Sequence, residues 1–118
     1  MRALLVHPRF PLNGFWNYQK TCQLAGAKYP AAPLGLVTVA ALLPSDWEIR
    51  LVDMNARELS DEDLDWADLV LTGGMLPQQK NCLDVIRRAQ SRGKLVVVGG
   101  PDPTSQPGIY EAADFLVL

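Results

Sequence analysis

Few side chains in this 118-residue sequence could do chemistry unaided. His7 is its only histidine. It ends an apolar run and precedes a proline, so it reads as a structural strand end rather than a base or a ligand. Cys22 and Cys82 stand sixty residues apart, which makes neither a disulfide framework nor a metal motif. They read as one loop thiol and one core thiol, in keeping with a reducing cytoplasm. Asp53 closes the run Ile49–Val52, where a dinucleotide fold would place its ribose-binding acid. Without a glycine fingerprint it reads as turn or cap chemistry. No nucleophile stands beside a base.

What the sequence offers instead is bare backbone. One apolar run stops at Thr72-Gly73-Gly74-Met75, and another at Gly99-Gly100-Pro101-Asp102-Pro103-Thr104. Two Gly-Gly pairs on one rim would let a flat or bulky ligand lie against main chain. Turn geometry alone also accounts for either pair. The stretch from Pro8 to Pro33 is long and irregular, and holds Phe10, Phe15, Trp16, Tyr18 and Tyr29. Loops of that length are functional or disordered, and the aromatic content argues against simple disorder. Several ligand classes lack their motif. A G-x-G-x-x-G turn would follow the first strand, where the sequence reads His7-Pro8-Arg9-Phe10-Pro11. There is no P-loop, no Ser/Thr-rich flavin phosphate loop and no acidic phospho-acceptor site.

These loops need strands and helices to position them. Continuous apolar runs at Arg2–Val6, Ile49–Val52, Asp68–Leu71, Leu95–Val98 and Phe115–Leu118 read as buried parallel strands. Between them, Leu34–Leu43 reads as a helix that is apolar on most faces and therefore well buried. Ser60 reads as the N-cap of a short acidic helix. Pro77 to Arg92 is the clearest helix, with Cys82, Val85, Ile86 and Ala89 on one face and Gly93 just past its end. Gln106 to Ala112 gives a short last helix. Strands alternating with helices predict one three-layer α/β domain over residues 1–118. It is a Rossmann-like, flavodoxin-like parallel sheet of about five strands, order 2-1-3-4-5, with helices on both faces. In that order the loops after strands one, three and four share a rim.

A net charge of −2 and a composition of 48% hydrophobic residues give no general reason to bind nucleic acid or an anionic membrane. No run is long enough to span a bilayer. The sequence ends inside an apolar strand, which suggests a fragment of a longer protein.

In order, the stretches Pro8–Pro11 (PRFP), Pro33–Pro44 (PLGLVTVAALLP), Val52–Asn55 (VDMN), Trp66–Met75 (WADLVLTGGM) and Val96–Thr104 (VVVGGPDPT) resemble one family. It is the N-terminal cobalamin-binding domain of cobalamin-dependent radical S-adenosylmethionine enzymes. Within it the chain resembles proteins called anaerobic magnesium-protoporphyrin IX monomethyl ester cyclase. The resemblance implies cobalamin along the carboxyl rim, its nucleotide tail passing Gly99 and Gly100. Thr72 would bond the tail, with Gly73, Gly74, Met75, Pro8, Arg9, Phe10, Pro101, Asp102 and Thr104 around the same site. It also implies that S-adenosylmethionine and a four-iron four-sulfur cluster belong to a radical domain beyond Leu118, so that this part has no activity alone. The Asp-x-His-x-x-Gly motif of related cobalamin domains is absent after the first strand. The resemblance therefore implies a cobalt whose lower face meets water or an apolar or aromatic group, with Met75, Phe10, Phe15 and Trp16 as candidates. The alternatives left open are a regulatory or interaction domain without cofactor, and a flavin or nucleotide domain.

Overall fold

A computed structural model describes residues 1–28 and 32–118, with the side chain of Trp16 also left out. Tyr29, one of the loop aromatics singled out above, therefore lies outside the described residues. Five strands form one parallel sheet: β1 (Arg2–His7), β2 (Glu48–Asp53), β3 (Leu69–Gly73), β4 (Leu95–Gly99) and β5 (Phe115–Val117). Their order is β2-β1-β3-β4-β5. That is the predicted α/β Rossmann-like arrangement, and the switch of direction falls between β1 and β3. The helices are α1 (Gln19–Ala25), α2 (Leu34–Leu42), α3 (Asp61–Trp66), α4 (Gln79–Ser91) and α5 (Pro101–Ser105).

One sheet face carries the main core. Leu4, Val6, Val52, Val70, Val96 and Val98, each 0% exposed, pack against Leu64 of α3 and Cys82, Val85, Ile86 and Ala89 of α4. The apolar stripe read from the sequence is thus the buried face of α4. Gly93, at φ 69°, turns the chain out of that helix. The start of α3 follows from Ser60, whose hydroxyl takes the Asp63 N–H while the Asp63 carboxylate takes the Ser60 N–H. Arg57 adds a two-pronged pair to the same carboxylate (2.7 and 3.0 Å). That guanidinium, above all, holds Asp63 down at about 2.

The other face is thinly covered. Ala3, Leu5, Leu69 and Leu71 pack with Leu36 and Ala40 of α2, and with Leu43 and Trp47. Contrary to the sequence expectation, no residue of α2 is buried. Leu34 is 71% exposed and Leu42 80%. The reason is its neighbourhood: among the described residues no helix lies beside it over β4 and β5, so Leu95, Phe115 and Val117 are also exposed.

Three further expectations change. Residues 8–33 are not one loop, because α1 lies within them and buries Cys22, so both thiols are buried. The segment after β4 is not a loop either: Pro101 starts α5, and Gly100 is its N-cap. The last helical piece is a short turn of 3-10 helix at Pro107–Tyr110 instead of a helix over 106–112.

Candidate functional site

The carboxyl ends of β1, β3 and β4 meet at one rim, in register: Val6 beside Thr72, and Gly73 beside Gly99. A cavity of about 570 Å³ opens there. Its floor is Leu71, Thr72 and Gly73 of β3 with Val97 and Gly99 of β4; its far wall is Leu34, Leu36 and Val39 of α2. His7, Phe10, Asn55, Met75, Gln78 and Pro101 close the rest, with Gly74 and Gly100 between them. Among the described lining residues there is no Asp, Glu, Lys or Arg. A mostly apolar cavity with a few polar groups, at the switch point of a parallel sheet, is where such folds hold small molecules.

Of the predicted site residues the rim gathers Phe10, Thr72, Gly73, Gly74, Met75, Gly99, Gly100 and Pro101. It does not gather the rest. The backbone carbonyl of Pro8 is taken by Gln78 and Asn55 (2.6 and 3.3 Å). Arg9 turns away, donating to the Met54 carbonyl and pairing with Glu58. Asp102 points into the protein: its carboxylate, 3% exposed, accepts from Tyr110 Oη (2.5 Å), Gln79 Nε2 (2.9 Å) and Gln106 Nε2 (2.9 Å). Burial, with Asp102 bonding its hydroxyl next, raises the Tyr110 pKa. Thr104 lies on α5 away from the cavity, its N–H on the Gly100 carbonyl. Phe15 is 79% exposed and stacks at an angle on Tyr18, so it is not on the cavity; the Trp16 side chain is outside the described part.

The glycines have reasons internal to the fold. A Cβ on Gly73 would stand 1.8 Å from the Gly99 carbonyl oxygen. One on Gly99 would stand 3.0 Å from the Val117 carbonyl oxygen. Gly100 has φ 105°, which side-chain-bearing residues rarely adopt, and donor and acceptor of Gly74 lie just beyond it. A Cβ on Gly74 would stand 2.6 Å from Gln78 Oε1. Valine at Gly99 or Gly100 would therefore damage the fold as well as any ligand contact. The Thr72 hydroxyl donates to the Val6 carbonyl (2.9 Å), which ties β3 to β1 and leaves only its lone pairs for a ligand.

Sequence reasoning missed three side-chain amides that hold the loop after β1. Gln78, 1% exposed, spans from that loop to the loop after β3. Asn55 Oδ1 takes the Phe10 N–H (3.0 Å) and Asn81 Oδ1 takes the Arg9 N–H (2.6 Å). No spacing rule announces them; only a buried polar group near a turn does. Asp53 behaves as read, its Oδ1 accepting the N–H and side-chain amide of Asn55 (both 2.9 Å). Its Oδ2 is buried without a partner among the described residues. His7 sits opposite Asp53 in the register of β1 and β2. Burial lowers its pKa, and the Asp53 charge opposes this. Beyond Phe10 and Asn55, which both cavities share, lies a second and more polar hollow of about 550 Å³. Among the described residues no group of three or more His, Cys, Asp or Glu could hold a metal ion, and no helix is long and apolar enough to cross a membrane.

The chain is 47% identical, over its whole length, to 22% of an uncharacterized methyltransferase of Synechocystis sp.. It is 36% identical over 118 residues to the hopanoid C-2 methylase of Rhodopseudomonas palustris, covering 98% of this chain and 22% of that protein. It is 26% identical over 101 residues to the bacteriochlorophyllide d C-12(1)-methyltransferase of Chlorobaculum tepidum, covering 86% of this chain and 20% of that protein. No family model and no solved structure matches. The chain therefore spans about a fifth of the length of the curated relatives it matches, and all three of them are named for methyl transfer.

Proposed function

We propose that this chain is the cobalamin-binding module of a radical S-adenosylmethionine methyltransferase. One observation carries the reading: a cavity with no charged residue among its described lining, floored by glycine backbone, stands at the switch point of a chain whose relatives are named for methyl transfer. The cavity suits a neutral, flat, largely apolar group. At about 570 Å³ it has room for the benzimidazole base that ends the nucleotide tail of cobalamin, while the phosphate and the corrin would rest outside on the rim. The four glycines leave main chain uncovered along that path, and Phe10 and Met75 border it.

When bound, cobalamin would supply a cobalt that carries a methyl group. The chain's own part is to hold and orient it. Backbone at Gly73, Gly74, Gly99 and Gly100 gives the tail a flat support, and Leu34, Leu36 and Val39 exclude water from its other side. The iron–sulfur cluster and S-adenosylmethionine belong, in this reading, to the other four-fifths of the protein, and the cytoplasm suits its two free cysteines. The relatives' names favour methyl transfer over ring formation of the cyclase type.

The test is a titration of the full-length protein with hydroxocobalamin, followed by gel filtration and a visible spectrum. Co-elution at one equivalent, with no spectral sign of a histidine on cobalt, is the expected result. A full-length protein that leaves all of the cobalamin in the small-molecule fraction overturns the reading and favours a domain without cofactor.

A further inference from the structure

His7 is the only titratable side chain lining the cavity among the described residues. Its state is set by Gln78. The orientation of the Gln78 amide is fixed twice by main chain. Its Oε1 must be the acceptor, because it faces the Met75 N–H (3.0 Å). Its Nε2 must be the donor, because it faces the Pro8 carbonyl (2.6 Å). Nε2 has a second hydrogen, and its next neighbour is His7 Nε2 at 3.3 Å. Two donors cannot share that contact, so His7 Nε2 carries the lone pair. Burial keeps the ring neutral, so its single proton resides on Nδ1. Nδ1 makes no hydrogen bond with any described residue. Gly74 belongs to the same device, since a Cβ there would stand 2.6 Å from Gln78 Oε1.

We propose that His7 is the polar ligand contact of this cavity, donating from Nδ1–H to an acceptor atom on the tail of the cofactor, and that Gln78 is the positioning residue that fixes this tautomer. The inference rests on the cobalamin reading and deepens it. An apolar cavity gives affinity without orientation, and one donor at the end of β1 supplies the orientation. It also gives the only histidine a role at the tail rather than on the metal.

The test uses the full-length chain and hydroxocobalamin, with affinity and melting temperature measured for each variant. An asparagine amide nitrogen stands about where the histidine Nδ1 does, and a glutamine amide nitrogen about where Nε2 does. His7→Asn should bind within about threefold of the parent chain, while His7→Gln and His7→Phe bind about tenfold more weakly. Gln78→Met removes the Nε2 donor that holds the proton on Nδ1, without adding charge. It should cost about threefold beside His7 and much less in the His7→Asn background, which has no tautomer to release. If Gln78→Met does not fold, Gln78→Leu removes the same donor and must show the same dependence on His7. Equal affinity for His7→Phe and the parent, or equal losses for His7→Asn and His7→Gln, overturns the inference and leaves the cobalamin reading standing. A parent chain that binds no cobalamin sinks both.

Discussion

Gly73→Ala tests most directly why the rim is made of glycine. The new Cβ would sit 1.8 Å from the Gly99 carbonyl oxygen, and that oxygen is backbone in the neighbouring strand. Bringing the pair to a tolerable 3.0 Å means parting β3 from β4 by about 1.2 Å at their carboxyl ends. A ladder hydrogen bond of about 2.9 Å does not survive such a stretch. Losing one or two of them, with their groups still half-buried, costs about 2–4 kcal/mol. For a domain of 118 residues each kcal/mol is about 4 °C in Tm, so melting should fall by about 8–16 °C. Gly35→Ala is the internal control: it lies within α2, where a Cβ meets nothing within 4 Å. That substitution should raise stability by about 0.5–1 kcal/mol. Urea unfolding of both variants reads the two signs in one assay. A Gly73→Ala chain within 0.5 kcal/mol of the parent would refute the close approach of the two strands and return those glycines to a purely ligand-related role.

Two other expectations concern ionisable groups. Asp63 is held at about 2 by Arg57, below its ordinary 3.8, so its contribution is complete above pH 4 and is lost as pH falls through about 2. Asp63→Asn should therefore cost about 2 kcal/mol at pH 7 and flatten the acid limb of a stability–pH curve, and an unchanged acid limb would contradict the assignment. Cys82 is 0% exposed, and burial pushes its thiol up to about 11. A thiol reagent at pH 8 should leave it unmodified in the folded protein and label it in urea; rapid native labelling would mean that α4 opens locally.

Strand order, the buried face of α4 and the cap at Ser60 were all legible, because each rests on a periodic or local signal. Cys82, Val85, Ile86 and Ala89 repeat at helical spacing, and Ser60 with Asp63 is a pair three positions apart. Other features were not legible. The apolar run of α2 promised burial, but burial depends on what lies opposite, and its neighbours leave its outer sides uncovered. Asp102 stands beside glycines and prolines, which reads as a rim contact. Its partners are Gln79, Gln106 and Tyr110, the first of them more than twenty residues away, and no local pattern reveals such a distant pairing. Of the site itself, the glycines and Phe10 could be read from the sequence; the amides of Gln78, Asn55 and Asn81 could not, since glutamine and asparagine occur on every surface.

The interlocked glycines also constrain how this domain can diverge. Gly73, Gly99 and Gly100 are required by one another's main chain and by β5, and Gly74 by Gln78. One side of the cavity therefore has no freedom to drift without loss of the sheet. All remaining latitude belongs to the opposite side, where Leu34 and Val39 stand on the solvent-washed α2 and can exchange size and shape at little cost to folding. A library aimed at a different ligand should randomise those two positions and leave the rim alone.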